Sequence, residues 1–95
     1  MPTRPSPERA EILGLEALAW LAARPGDLDM FLRESGVSGT ALREAAGSPG
    51  LAVAVLDFLL AREALLAEFC ENNGTGAAEL HQARHALAPD TGWSA

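Results

Sequence analysis

Between Leu51 and Ala61 every residue is apolar except Asp57. A helix apolar on nearly every side has no face to give to water, so it belongs at the centre of a helical assembly. The chain around it agrees. Its 19 alanines and 15 leucines stand against one isoleucine and three valines, a balance that favours helix formers over β-branched residues. Ninety-five residues allow one domain, and a chain of this size removes about two-thirds of its unfolded surface from water. No stretch alternates with period two, and no internal repeat is evident: Ser6-Pro7 and Ser48-Pro49 recur, but the helices after them differ. The expectation is an all-α, single compact bundle of about five helices around the apolar one.

Local signals place the elements. Ser6-Pro7-Glu8 opens a first helix, with a hydroxyl to accept a free backbone N–H, proline at N1 and an acid at the positive end of the helix dipole. That helix should run to about Ala23, its core face starting at Glu11 and continuing through Leu15, Leu18 and Ala22. Ile12, Ala19 and Leu21 flank that face, and Arg9, Glu16 and Arg24 mark the wet side. Asp27 is expected to cap a short helix over 28–34 with Leu28, Phe31 and Leu32 inward, ended by Gly36 in a left-handed conformation. Ser38 should cap a third helix to about Ala46, closed by Gly47. The fourth begins at Ser48-Pro49 and reaches the Asn72-Asn73-Gly74 stop. The pattern leaves open one helix over 48–71 or two divided near Arg62. In either case Asp57, Ala61, Ala64, Glu68 and Glu71 share the face that meets water. Thr75 should cap the last helix, with Leu80, Ala83 and Leu87 inside. The helical domain is thus read as 6–88, with tails at 1–5 and 89–95.

The net charge of −6, carried by thirteen acids against seven arginines and no lysine, argues against broad phosphate neutralisation and against an anionic membrane surface. No apolar run approaches the ~20 residues of a membrane span, and Glu8, Glu11 and Glu16 interrupt any signal-peptide core. With a lone cysteine, Cys70, a cytoplasmic location is expected.

Several segments together carry a family resemblance: Ala17-Leu18-Ala19-Trp20-Leu21-Ala22, Phe31 to Val37, Leu42-Arg43 and Ala46-Gly47, Val55-Leu56-Asp57-Phe58-Leu59-Leu60, Glu63 to Leu66, and Phe69-Cys70. Over roughly Glu8 to Ala88 the chain resembles domain of unknown function family 3572, small helical proteins found mainly in alphaproteobacteria. The resemblance implies a helical cytosolic protein of that bacterial class. It brings no assigned activity, cofactor or catalytic residue. Family members often carry an acid where Arg62 stands, which would start a separate helix, and this chain departs there.

Candidate sites are sparse. Phe31 to Ala46 scans as a helix-turn-helix with its glycine at Gly36, but 27–47 holds four acids (Asp27, Asp29, Glu34, Glu44) against Arg33 and Arg43, a net of −2 that would repel the duplex. His81 and His85 share a helical face without the glutamate or third ligand of a zinc site. Cys70 sits at a helix C-terminus beside Glu68 and Glu71, the opposite of an activating environment. Asp57 reads as a solvent-stripe carboxylate more readily than a buried functional one. No glycine fingerprint, P-loop or nucleophilic triad spacing is present, so no cofactor, metal or catalytic residue is expected. What remains is Trp20, four residues after Glu16 and four before Arg24, on the polar side of the first helix. It can be a rim residue under a stacked Arg24, or with Arg24 and Glu16 the anchor of a protein interface. The expected function is a non-enzymatic module binding another protein; an atypical helix-turn-helix DNA regulator is the alternative, and an enzyme comes third.

Overall fold

The computed structural model describes residues 6–45 and 48–87, so the expected tails at 1–5 and 89–95 and the expected stop at Ala46-Gly47 lie outside the described residues. Six α-helices follow one another: α1 Pro7–Ala22, α2 Pro25–Ser35, α3 Gly39–Ala45, α4 Pro49–Leu60, α5 Glu63–Asn73 and α6 Ala77–Leu87. The all-α bundle is as expected, and the long apolar segment does divide at Ala61-Arg62, which makes six elements. α4 packs against each of the other five helices, the place its composition requires. Leu56, Leu59 and Phe69 are fully buried, while Leu60 is only half-buried. The five residues read as the wet face, from Asp57 to Glu71, are all exposed.

The serine caps form as the sequence indicates. Ser6, Ser38 and Ser48 accept from the backbone N–H of Arg9, Ala41 and Leu51 at 3.1, 3.0 and 3.2 Å. Gly36 (φ 76°) and Gly74 (φ 66°) end α2 and α5 in the left-handed region. Two caps differ. Asp27 is not the cap of α2, because Pro25 already supplies N1 and the carboxylate falls in the first turn, where it binds the Arg24 side chain. Thr75 does not cap α6. Its buried hydroxyl bonds to Asn73, and the Gly76 carbonyl accepts the first N–H groups of the helix.

The face of α1 is also corrected. Ala10, Leu13, Gly14, Ala17, Leu18 and Leu21 are buried, whereas Leu15, Ile12, Ala19 and Ala22, expected inward, are exposed. The reason is Gly14. A Cβ built there would lie 2.6 Å from the Ala52 Cβ and 2.9 Å from its Cα, so α1 meets α4 backbone to backbone on the small-residue side. Leu13, Leu18 and Leu21 are buried beside these small residues, and Ile12 and Leu15 turn outward.

This crossing exposes a repeat that the sequence reading did not find. The steps from Pro25 to Glu63, from Ser35 to Asn73, from Gly36 to Gly74 and from Gly39 to Ala77 are all 38 residues, as is that from Ala22 to Leu60. α1–α2–α3 and α4–α5–α6 are therefore two copies of one three-helix unit. Their corners share a backbone: Ala23 (φ −84°, ψ 0°) then Arg24 (−126°, 85°), against Ala61 (−83°, −7°) then Arg62 (−130°, 95°). Gly14 and Ala52 are also 38 apart, so equivalent residues touch at the crossing. The aromatic contacts are reciprocal too: Trp20 meets Phe69 edge-on at 5.5 Å, and their counterparts Phe58 and Phe31 meet edge-on at 5.4 Å. Contacts of residue i with j′ and of i′ with j define an isologous, two-fold arrangement, here within one chain.

Gly14→Ala tests the crossing. It gains about 1 kcal/mol of helix propensity, but the new methyl meets α4 backbone, and overpacking of this kind costs about 1–3 kcal/mol. We expect a net loss in urea unfolding. Gly14→Ala with Ala52→Gly, which moves one methyl across the axis, should recover stability to within about 1 kcal/mol of wild type because both terms cancel. A double variant no more stable than the single one would contradict the symmetric contact.

Candidate functional site

Trp20, Arg24 and Glu16 do come together with other helices, at the corner between α1 and α2. The turn from Ala23 to Arg24 aims the Arg24 guanidinium back over the Trp20 ring, 4.6 Å from its centroid, the stacking expected of a rim tryptophan. The same guanidinium donates to Asp27 Oδ2 at 2.6 Å and Glu68 Oε1 at 3.1 Å. Its pKa is raised, first by the hydrogen bond to Asp27, with Glu68 adding to the shift against some loss of hydration. Trp20 is half-buried, its ring edge on fully buried Phe69. The Glu16 carboxylate accepts from Asn73 Nδ2 at 3.0 Å. Cation, aromatic ring and carboxylate are all engaged inside the fold.

The equivalent corner, between α4 and α5, is built differently on the same backbone. Arg62 lies over Phe58 at 4.2 Å, donates to the Phe58 carbonyl at 3.3 Å and pairs with Glu34 on α2. Like Arg24 with Glu68, it reaches a carboxylate of the other unit. Ala54 stands where the first unit has Glu16, Ser35 where the second has Asn73, and Phe58 where the first has Trp20. The smaller side chains leave a cleft of about 340 Å³ whose lining includes Phe31, Ser35, Ala54 and Phe58.

The other candidates fall where ordinary packing puts them. Asp57 is exposed and accepts from Arg84 Nε at 2.6 Å, joining α4 to α6. His81 and His85 are exposed on α6, and among the described residues no group of three or more His, Cys, Asp or Glu side chains could hold a metal ion. α2 ends at Gly36 in the left-handed region, with Thr40, Arg43 and Glu44 exposed on α3. A left-handed glycine recurs at Gly74, and the helix after it, α6, has Leu80 and Ala83 packed into the core. No helix of the described residues is long and apolar enough to cross a membrane.

Cys70 is half-buried near the end of α5. Burial pushes its thiol pKa up, and Glu79 adds to the rise. A raised folded value favours the neutral thiol, a preference held below the ordinary thiol pKa and lost as pH climbs through the raised one. Because the thiolate is the nucleophile, iodoacetamide should modify Cys70 more slowly in the native protein than in urea at the same pH. Equal rates would show an exposed, unperturbed thiol.

A site that sequence reasoning missed lies on α1. Ile12 and Leu15 are 48% and 47% exposed, and with Glu8 and Glu11 they line a hollow of about 240 Å³. The signal was Gly14: a glycine amid leucines marks the side where another backbone approaches, which turns Leu15 outward.

Neither the curated proteins nor the solved structures yield a match. The family model described as Protein of unknown function (DUF3572) matches residues 7–90. The match spans nearly all of the chain, in keeping with the segments that carried the resemblance, and the chain belongs to the DUF3572 family.

Proposed function

We propose that this chain is a non-enzymatic helical module of the bacterial cytosol that binds another protein. The observation that carries the proposal is the contrast between its two kinds of surface. The charged groups Arg24, Glu16, Arg62, Glu34, Asp57 and Arg84 are each engaged with a side chain of another helix, whereas Ile12 and Leu15 present apolar side chains outward from a helix whose Leu13, Leu18 and Leu21 are buried. Charge-saturated joints hold a scaffold, and an apolar strip on a rigid helix suits a partner. On this account Trp20, Arg24 and Glu16 belong to the frame, and contact is made from α1.

A DNA-binding role is the second possibility, favoured by the exposed Thr40 and Arg43 after the Gly36 turn and opposed by the local net charge. Affinity capture of the tagged chain from its bacterial host, followed by titration of each purified candidate, tests both. A saturable protein complex supports the module. Recovery of no protein that rebinds after purification overturns it, as does tight binding to random duplex that falls steeply with salt.

A further inference from the structure

The two-fold relation between the units provides an internal standard for every surface, and one surface fails to match its counterpart. α6 packs against both α1 and α4. The pairing of Arg84 with Asp57 places α6 over the α4 face that carries Asp57 and, one turn earlier, Val53. Val53 is 4% exposed. A step of 38 residues carries Val53 to Leu15 and Asp57 to Ala19, both exposed. α3, the counterpart of α6, has seven residues and packs against α4. On the face of α1 that a symmetric α3 would cover, Leu15 and Ala19 therefore stay exposed.

That face is a shallow groove. Leu15 and Leu18 of α1 border it together with Leu51 and Ser48 of α4, and at the crossing of Gly14 with Ala52 a hole of only about 10 Å³, the size of one water, stays open. Leu51 and Leu18 are buried at its floor and Leu15 stands half out of it, while Glu8 and Ile12 line an adjoining hollow on α1 that shares Glu11 and Leu15 with it. Its counterpart, related by the same 38-residue step, includes Ala10, Leu13, Val53 and Leu56, all buried. The two grooves share backbone and apolar character. One holds a helix of the chain itself.

We infer that the groove between α1 and α4 at Leu15 is a docking site for a basic amphipathic helix of a partner protein, an assignment that rests on the module function proposed above. The shape of the occupant is set by α6, which fills the equivalent groove with Leu80 and Ala83, both fully buried, and half-buried Leu87. A stripe of Leu-x-x-Ala-x-x-x-Leu is the helix-in-groove pattern. Its charge is set by the rim: Glu8 and Glu11 are one turn apart on the groove side of α1, in a chain of net charge −6. Lysine or arginine flanking the apolar stripe complements them and steers the encounter.

The probe is a labelled synthetic peptide with the α6 sequence, residues 77–87, carrying Glu79→Lys, titrated by fluorescence anisotropy against the full chain. Saturable binding is expected, weakened at least ten-fold by Leu15→Asp and by the pair Glu8→Lys with Glu11→Lys, and weakened by added salt. Leu15 and Glu8 are exposed, so circular dichroism should show native helix content in these variants. The charge pair keeps the test decisive should Leu15→Asp unfold. No binding at millimolar peptide overturns the assignment, and so does binding unchanged in both variants. Self-association of the chain that Leu15→Asp abolishes makes a second copy the occupant and overturns it as well. A host partner whose binding survives Leu15→Asp overturns the groove while the module stands. Peptide binding at the groove with no rebinding host protein supports the groove and overturns the module.

Discussion

Replacing Phe69 with alanine should remove about 3–5 kcal/mol of stability, the cost of deleting a large aromatic from a tight core. Phe69 is fully buried and is met edge-on by Trp20, whose other side is covered by Arg24. The truncation therefore empties a site and removes the surface on which an inter-helix assembly rests. Since domains are stable by only about 5–15 kcal/mol, the urea midpoint followed by helical circular dichroism should fall markedly, by a fifth or more of its wild-type value. A loss under about 1 kcal/mol would mean that the ring is not core. Phe31→Ala should behave alike, because Phe31 occupies the same place in the first unit and meets Phe58 as Phe69 meets Trp20.

Leu56→Ala should cost about 2–5 kcal/mol. The spread in such values reflects how far the surroundings collapse, and here they are constrained. Leu56 is fully buried on α4, which touches each of the other helices, so closing the void would require several of them to shift at once. We expect the upper half of the range, read from urea unfolding with an unchanged m-value. A loss below about 1 kcal/mol would place Leu56 outside the core.

Most element ends were legible because they depend on near neighbours, although Asp27 and Thr75 do not cap the helices they precede. Ser6, Ser38 and Ser48 bond to an N–H three residues on, and Gly36 and Gly74 take a conformation that glycine adopts cheaply. The position of α4 was legible from composition alone. The inward face of α1 was not. Leu15 and Leu18 are equally apolar, and only the close approach at Gly14 decides between them. The repeat escaped because most matched positions are leucine or alanine, common throughout this chain. Its rarer marks, Ala23-Arg24, Phe31 and Gly36 against Ala61-Arg62, Phe69 and Gly74, are scattered. Of the two readings left open for Trp20, the stacking of Arg24 over its ring is present. Its contact with Phe69, 49 residues away by number, is set by tertiary packing that no local pattern encodes.

The exchange of aromatic contacts between the two units bears on how the chain comes apart. In a protein made of two copies side by side, each copy can melt alone. Here Trp20 of the first unit rests on Phe69 of the second, and Phe58 of the second on Phe31 of the first. Each unit thus completes the other's interior, so loss of either strips the survivor of its own packing. The two units form an interlocked pair, for which a single melting transition is expected, with a lesion in one unit felt by the other.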